Sequence, residues 1–402
     1  MLSERSTPVI RATLPVVGAS VDDITELFYR KLFDAHPVLL RDLFNRGNQA
    51  NGEQRRALAG SIAAFAGALL AQPDARPDTM LARIAHKHVS LGISSDQYKI
   101  VHKHLFAAIA EVLGEVVTPE VAAAWDEVYW LMANALIELE ARAYERAGVA
   151  EGEVWRTMEI AERQEETADV FSLVLRRTDG APAGAFRPGQ YVSVQVGLPD
   201  GARQIRQYSL SAASGRADWR ITVKRVRGTD TPEGEVSAWL HEHARPGDLL
   251  EVSLPAGDLV LPEGDGPLLL ASAGIGCTPM LSMLDDLAEA GSTRSVTVLH
   301  ADRTPDEHAH RDEQRRLVDA LPDADLHLWY EDVPEDRLPE GARLGYADIE
   351  TLELAGDPAD LTAYLCGPLP FMRAVRGQLI SRGVPASAIH YEVFGPDLWL
   401  AA

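Results

Sequence analysis

Through residues 1–150 the apolar positions recur at helical spacing, with polar positions between them. Ile24, Leu27, Phe28 and Leu32 form one stripe, Ile62, Phe65, Leu69 and Leu70 a second, and Leu81, Ile84, Ala85 and His88 a third. The cleanest stripe is Trp125, Val128, Tyr129, Met132, Leu136 and Leu139, which predicts one face of a long helix. Thr118 is its N-cap, and Pro119 takes the first helical position, where a backbone N–H is not needed. Ser94 and Gln97 have the spacing of a capping box for another helix. Pro37, Gly47, Gly52 and Pro73 mark the breaks.

From Glu153 the pattern turns to alternation. Val154, Phe171, Leu173, Val192, Val194, Val196, Ile221 and Val223 interleave with polar residues, and Asp179-Gly180, Arg187-Pro188-Gly189 and Pro246-Gly247-Asp248 supply turns. Short antiparallel strands closing into a barrel or sandwich are the expectation. From Gly266 the pattern changes again. Leu268-Leu269-Leu270, Val296-Thr297-Val298-Leu299 and Tyr364-Leu365-Cys366 are too short for helices, and they alternate with helix-like stretches at Met280–Ala290 and Phe371–Ile380. That alternation predicts an α/β unit with an open parallel sheet. Glu331 to Glu340, rich in proline and carboxylates, reads as a solvated loop.

Composition narrows the class. A chain of 402 residues exceeds one ordinary core, and 46% hydrophobic with 24% charged residues is normal for a globular protein. The net charge of -22 repels phosphate backbones and anionic lipid, so no nucleic-acid partner is expected. Two cysteines, Cys277 and Cys366, exclude a disulfide framework and any cysteine-rich metal site. The Met1 to Pro15 stretch carries Glu4, Arg5 and Arg11 and has no continuous apolar run, so it does not read as a signal peptide, and no membrane span is expected. Both readings point to the cytoplasm.

Chemistry-bearing motifs sit where the pattern changes. Gly274-Ile275-Gly276-Cys277-Thr278-Pro279 follows an apolar strand and opens a helix, the arrangement that lets a backbone approach a pyrophosphate. Cys366-Gly367-Pro368 ends a second such strand. Two turns at the carboxyl ends of parallel strands flank a nucleotide crevice. Upstream, Arg206, Tyr208 and Ser209 combine a phosphate clamp, an aromatic platform and a hydroxyl, and Gly234-Glu235-Val236-Ser237 offers backbone N–H groups. Glu392 and Phe394 stand near the end of the chain.

The order of these pieces, over residues 151–396, resembles the ferredoxin–NADP reductase superfamily. That resemblance implies FAD on a six-stranded barrel and NADH or NADPH on the neighbouring sheet. Arg206, Tyr208 and Ser209 would hold the FAD, with Gly234, Val236 and Ser237 along its diphosphate. Gly274, Gly276, Thr278 and Pro279 would line the nicotinamide dinucleotide's pyrophosphate. Cys366, Gly367 and Pro368 would lie near the nicotinamide, and Glu392 and Phe394 by the isoalloxazine. Arg303 is a candidate for reading the ribose 2′ position; the choice between NADH and NADPH stays open.

In the helical region His88 continues an apolar stripe, so it should point inward, and a buried neutral imidazole is a good iron ligand. Taken alone, a histidine of this kind reads as a core residue. Its surroundings add the context: Phe28-Tyr29, Leu43-Phe44-Asn45, Asn51-Gly52-Glu53-Gln54, Ala85-His86-Lys87-His88 and Gln97-Tyr98-Lys99 occur in this order. Together with the reductase half they resemble the flavohemoglobins, globins fused to such a reductase. The resemblance implies a multidomain chain: an all-α globin over 1–150, an antiparallel β-barrel FAD domain over 151–262 and an α/β NAD(P)-binding domain over 263–402. It makes His88 the proximal ligand of heme b, Tyr29 and Gln54 the distal groups around dioxygen, and Phe44 and Leu58 the pocket wall. Tyr98 would fix the His88 imidazole, and Glu140, placed by alignment from Trp125, would make that imidazole more electron-rich. The implied activity is a nitric oxide dioxygenase that detoxifies nitric oxide to nitrate. Its partners would be nitric oxide, dioxygen and NAD(P)H, with no obligate protein partner. The alternatives are a flavohemoprotein that reduces oxygen, peroxide or quinones, and a globin oxygen sensor.

Overall fold

Local signals set most helix boundaries in the first part of the chain. The computed structural model describes residues 1–228, 233–354 and 356–395; Pro396, where the reductase resemblance ends, lies outside them. Eight α-helices are seen among these residues before the first strand: α1 (Ser6–Ala19), α2 (Val21–Ala35), α3 (Pro37–Asp42), α4 (Arg46–Ala50), α5 (Glu53–Ala71), α6 (Asp78–Leu91), α7 (Ser95–Leu113) and α8 (Pro119–Ala147). Thr118 accepts the Val121 N–H at 3.3 Å and starts α8, and Gly148, at φ 67°, ends it. Ser94 and Gln97 close the capping box of α7. Gly47, which reads as a break in the sequence, lies inside α4; Asn45 caps that short helix by accepting the Gly47 and Asn48 N–H groups. Gln54 completes no capping box, because the N-cap of α5 is Gly52, at φ 76°. The predicted stripes face one apolar core containing Ile24, Phe28, Leu32, Phe65, Leu69, Leu81, Trp125, Val128 and Leu136.

The described residues divide into two compact units. The first holds Met1–Arg156 with Gln195–Arg206, and the second holds Thr157–Val194 with Gln207–Phe394. Within the first unit, Val154 departs from the strand pattern its alternation suggests. It precedes the first strand and is fully buried against Val89 of α6 and Tyr144 of α8. The 195–206 segment is held to the α3–α4 region by polar contacts. Asp42, 8% exposed, accepts from Arg41 and from the Arg203 N–H at 3.1 Å, and these contacts hold its carboxyl well below the usual range. Gln204, 1% exposed, donates its amide to the carbonyls of Arg41 at 3.0 Å and Phe44 at 3.2 Å.

The first sheet is six-stranded, built from β1 (Trp155–Thr167), β2 (Val170–Arg177), β3 (Tyr191–Gly197), β4 (Arg203–Ser209), β5 (Trp219–Lys224) and β6 (Leu249–Ser253), with α9 (Glu235–His243) between the last two. Its order is β4-β3-β6-β1-β2-β5, and an antiparallel bridge from Leu210 to Ile221 brings the two edges together into a barrel. The second sheet contains β7 (Leu268–Ala273), β8 (Val296–Asp302), β9 (Ala324–Tyr330), β10 (Arg343–Leu344), β11 (Thr362–Cys366) and β12 (Ile389–Glu392). Its pairs are parallel, in the order β10-β9-β8-β7-β11-β12. Helices α10 (Cys277–Glu289), α11 (Arg311–Asp319) and α12 (Leu369–Ser381) supply crossovers. The central strands β7, β8 and β11 are nearly continuous runs of buried residues, as strands covered on both faces require. Strand order reverses between β7 and β11, so the crevice at this switch point opens at the carboxyl ends of those two strands.

Candidate functional site

Three helices converge on His88. Its Nδ1 lies 2.7 Å from Glu140 Oε1 on α8 and 3.0 Å from the Tyr98 hydroxyl on α7. Tyr98 donates to the same Glu140 oxygen at 2.6 Å. The proton positions follow from the chemistry of the groups. Tyr98 has one proton and gives it to Glu140, so Nδ1 must be the protonated nitrogen and also donates to that carboxylate. Nε2 is then the nitrogen with the lone pair, and it makes no hydrogen bond among the described residues. An imidazole fixed in this tautomer by a carboxylate is oriented as a metal ligand. Burial and the adjacent Glu140 charge push the Tyr98 hydroxyl far above its usual range, so it stays a proton donor. Glu140 is 2% exposed, unlike an ordinary helix glutamate, while the His88 side chain is 30% exposed and not buried as its stripe suggests. The held Nδ1 edge faces Tyr98 and Glu140.

Tyr29 on α2 is 5% exposed, and its ring packs among aromatics: Phe28 at 4.7 Å, Phe33 at 5.6 Å and Phe44 edge-on at 5.8 Å between centroids. Burial pushes its hydroxyl well above the usual tyrosine range, while the side chains of Gln54 and Gln49 act on that hydroxyl in the opposite direction. The hydroxyl is therefore a neutral donor. Leu58, one turn after Gln54 on α5, is partly buried against the helical core.

In the second unit the two glycine turns meet. A Cβ on Gly276 would lie 2.3 Å from the Cys366 carbonyl oxygen and 2.8 Å from the Gly367 nitrogen, so only glycine permits the approach. Gly274, at φ 53°, faces open space. Thr278 turns its hydroxyl back to the Ile275 carbonyl at 3.0 Å, and Pro279 is buried in the first turn of α10. Burial pushes the Cys277 thiol up to about 12, so it is no nucleophile. Cys366 is fully buried and Pro368 is the N-cap of α12. Arg303 lies exposed just beyond β8.

The remaining positions lie on β4, at the start of α9 and at the end of the second sheet. Arg206 on β4 donates to the Gln204 side chain at 3.3 Å, Tyr208 is half-buried, and Ser209, 3% exposed, has a hydroxyl oxygen with no hydrogen-bond partner among the described residues. Gly234 caps α9; Val236 and Ser237 fill its first turn. The Ser237 hydroxyl accepts the Val226 N–H at 3.1 Å and donates to the Gly234 carbonyl, so it serves the turn itself. Glu392 ends β12, and Phe394 is 49% exposed.

The globin family model matches residues 26–136, and that of the oxidoreductase NAD-binding domain matches 270–377. A flavohemoprotein of Chromobacterium violaceum is 42% identical over 405 residues, covering 98% of each chain. The crystal structure of a flavohemoglobin from Malassezia yamatoensis, with bound FAD and heme, superposes with a TM-score of 0.88 at 38% identity, covering 98% of this chain and 100% of that one. The chain belongs to the flavohemoprotein family. The FAD/NAD-binding domain of a nitric oxide dioxygenase from Vibrio cholerae also matches, at 38% identity and a TM-score of 0.56, over 60% of this chain and 99% of that domain.

This flavohemoprotein therefore has a helical globin part and an NAD-binding oxidoreductase part. Among its described residues no helix is long and apolar enough to cross a membrane. Two further residues of the first unit have a place in the site that sequence reasoning missed. The Gln49 side chain acts on the Tyr29 hydroxyl, and Gln204 holds the Phe44 carbonyl. The only sequence signal for Gln49 is its position five residues before Gln54 with Asn-Gly between them. Nothing local marks Gln204.

Proposed function

We propose that this flavohemoprotein is a cytoplasmic NAD(P)H-dependent nitric oxide dioxygenase that uses heme b and FAD and releases nitrate. The domains follow as globin over 1–150, FAD barrel over 151–262 and NAD(P)H domain over 263–402. The observation that carries the reading is the His88–Tyr98–Glu140 array, which leaves one basic imidazole nitrogen for a metal. The Vibrio cholerae relative, a nitric oxide dioxygenase by name, supports the specific activity.

The residues present fit the groups. His88 Nε2 would hold the heme iron, with Phe44 and Leu58 against the ring. The buried Ser209 hydroxyl oxygen would meet a flavin edge, and the α9 N-terminus at Gly234, Val236 and Ser237 would carry the diphosphate. Arg206 and Tyr208 on the same strand as Ser209 suit the phosphate and the ring, and Glu392 and Phe394 suit the isoalloxazine. Gly274, Gly276, Thr278 and Pro279, at the carboxyl end of β7, would line the crevice taken by NADH or NADPH, with Cys366, Gly367 and Pro368 toward the nicotinamide.

When bound, heme supplies a redox iron that takes dioxygen, and FAD converts the nicotinamide's electron pair into single electrons. The chain's own contribution is electrostatic. Glu140, accepting from Nδ1, makes the imidazole a stronger electron donor at Nε2. Tyr29 remains protonated through about pH 9, since burial raises it above the tyrosine reference near 10, and it donates to negative charge on the distal side with Gln54 beside it. Aerobic addition of nitric oxide to the holoenzyme with NADH or NADPH should consume nitric oxide and yield one nitrate for each. Nicotinamide oxidation at a rate indifferent to nitric oxide, without nitrate, would instead indicate an oxygen or quinone reductase.

A further inference from the structure

Between α3 and α5 the chain carries four short amides, Asn45, Asn48, Gln49 and Asn51. Asn45 and Asn51 serve the backbone: the first accepts from Gly47 and Asn48 N–H groups at 3.0 and 3.3 Å, the second from the Glu53 N–H at 3.0 Å. Gln49 differs. Its Nε2 is buried and has no hydrogen-bond partner among the described residues, yet its side chain acts on the Tyr29 hydroxyl, as Gln54 does. A buried amide donor lacking an acceptor is disfavoured unless something bearing lone pairs meets it. The rings of Phe28, Phe33 and Phe44 around Tyr29 offer this atom no acceptor, and the Tyr29 hydroxyl oxygen is the one acceptor toward which the amide acts. An amide has two N–H donors and that hydroxyl can meet only one of them, so a small oxygen-bearing ligand beside the tyrosine would meet the other.

We infer that Gln49 is a third distal donor, acting with Tyr29 and Gln54 on an anionic oxygen ligand; the inference rests on the proposed heme pocket. The Gly52 turn makes it possible. Its left-handed backbone separates α4 from α5, so two glutamines five residues apart act on one hydroxyl from different helices. Tyr29 has a single proton to give, whereas each amide has two, so the pair multiplies the donors available to a ligand that carries more than one lone pair.

The test uses the heme-loaded full chain. Dioxygen release from the reduced protein is timed by carbon monoxide displacement, and the C–O stretch of the carbonyl form is recorded. Gln49→Leu should speed release roughly three- to tenfold, the loss of one neutral donor, and should raise the C–O stretching frequency. Gln49→Glu keeps the size and helix compatibility but replaces the donor with a negative charge, so release should be faster still. If Gln54→Leu and Tyr29→Phe speed release while both Gln49 variants stay within about twofold of the parent, the inference is overturned and the pocket reading stands. If none of the variants changes release, the pocket reading fails and takes the inference with it. Heme content and unfolding midpoint of each variant identify any that misfold; Gln49→Glu, the closest in shape, then carries the comparison.

Discussion

His88→Ala is expected to purify without heme while its flavin is still bleached by NADH or NADPH. Glu140 accepts from both Nδ1 and the Tyr98 hydroxyl, at 2.7 and 2.6 Å, so Nε2 is the only ring nitrogen with a lone pair to give. Among the described residues there is no group of three or more histidines, cysteines, aspartates or glutamates arranged to hold a metal, and His86 faces elsewhere on α6, two residues away. Removing the imidazole therefore removes the iron's attachment and also leaves the buried Glu140 carboxylate without one of its two donors. The second effect costs stability, about 1–3 kcal/mol for a buried group losing a partner. Absorbance at the Soret band and the unfolding midpoint report the two effects separately. A variant that keeps stoichiometric heme with an unaltered spectrum would show that His88 is not the ligand.

Tyr29→Phe should keep the heme and lose most of the distal stabilisation. A hydrogen bond to a charged partner is worth about 1.5–3 kcal/mol, which corresponds to a loss of roughly 10- to 150-fold in dioxygen retention. The same loss should appear in nitric oxide turnover at low dioxygen and should shrink as dioxygen is raised. The ring is already boxed by Phe28, Phe33 and Phe44, so phenylalanine fits the space and the change isolates the hydroxyl. Because burial holds that hydroxyl protonated, the parent should show no loss of distal stabilisation from Tyr29 ionisation up to about pH 9. Unchanged dioxygen release in Tyr29→Phe would remove the tyrosine from the mechanism.

The parts of this architecture that could be read in the sequence are those fixed locally. Thr118-Pro119 and the Ser94/Gln97 box mark helix starts because the capping group lies within three residues of the N–H it satisfies. Gly274 stands out because its left-handed backbone itself demands the residue type. Glu140 was different. It lies 52 residues from His88, and helical spacing alone does not separate it from Glu138; only likeness to a family did. In the structure the two glutamates part clearly, Glu140 buried against His88 and Glu138 half-exposed and paired with Arg76. Val154 was misassigned for a related reason: alternation records that a residue is half-buried but not what buries it, and here it is helices. Gln204 and the Asp42–Arg203 contact carried no local signal, since these partners lie 158 to 164 residues away, and Gln49 carried only its spacing from Gln54.

The central claim is that electrons taken from a nicotinamide at the β7–β11 crevice reach an iron held by His88. An absorption spectrum of the purified protein under carbon monoxide, without oxygen, tests it before and after NADH or NADPH is added. The account predicts a heme Soret band that converts to the ferrous carbonyl form on adding the nicotinamide. Flavin bleaching with no iron-carbonyl signal, in protein supplied with heme during expression, would contradict it.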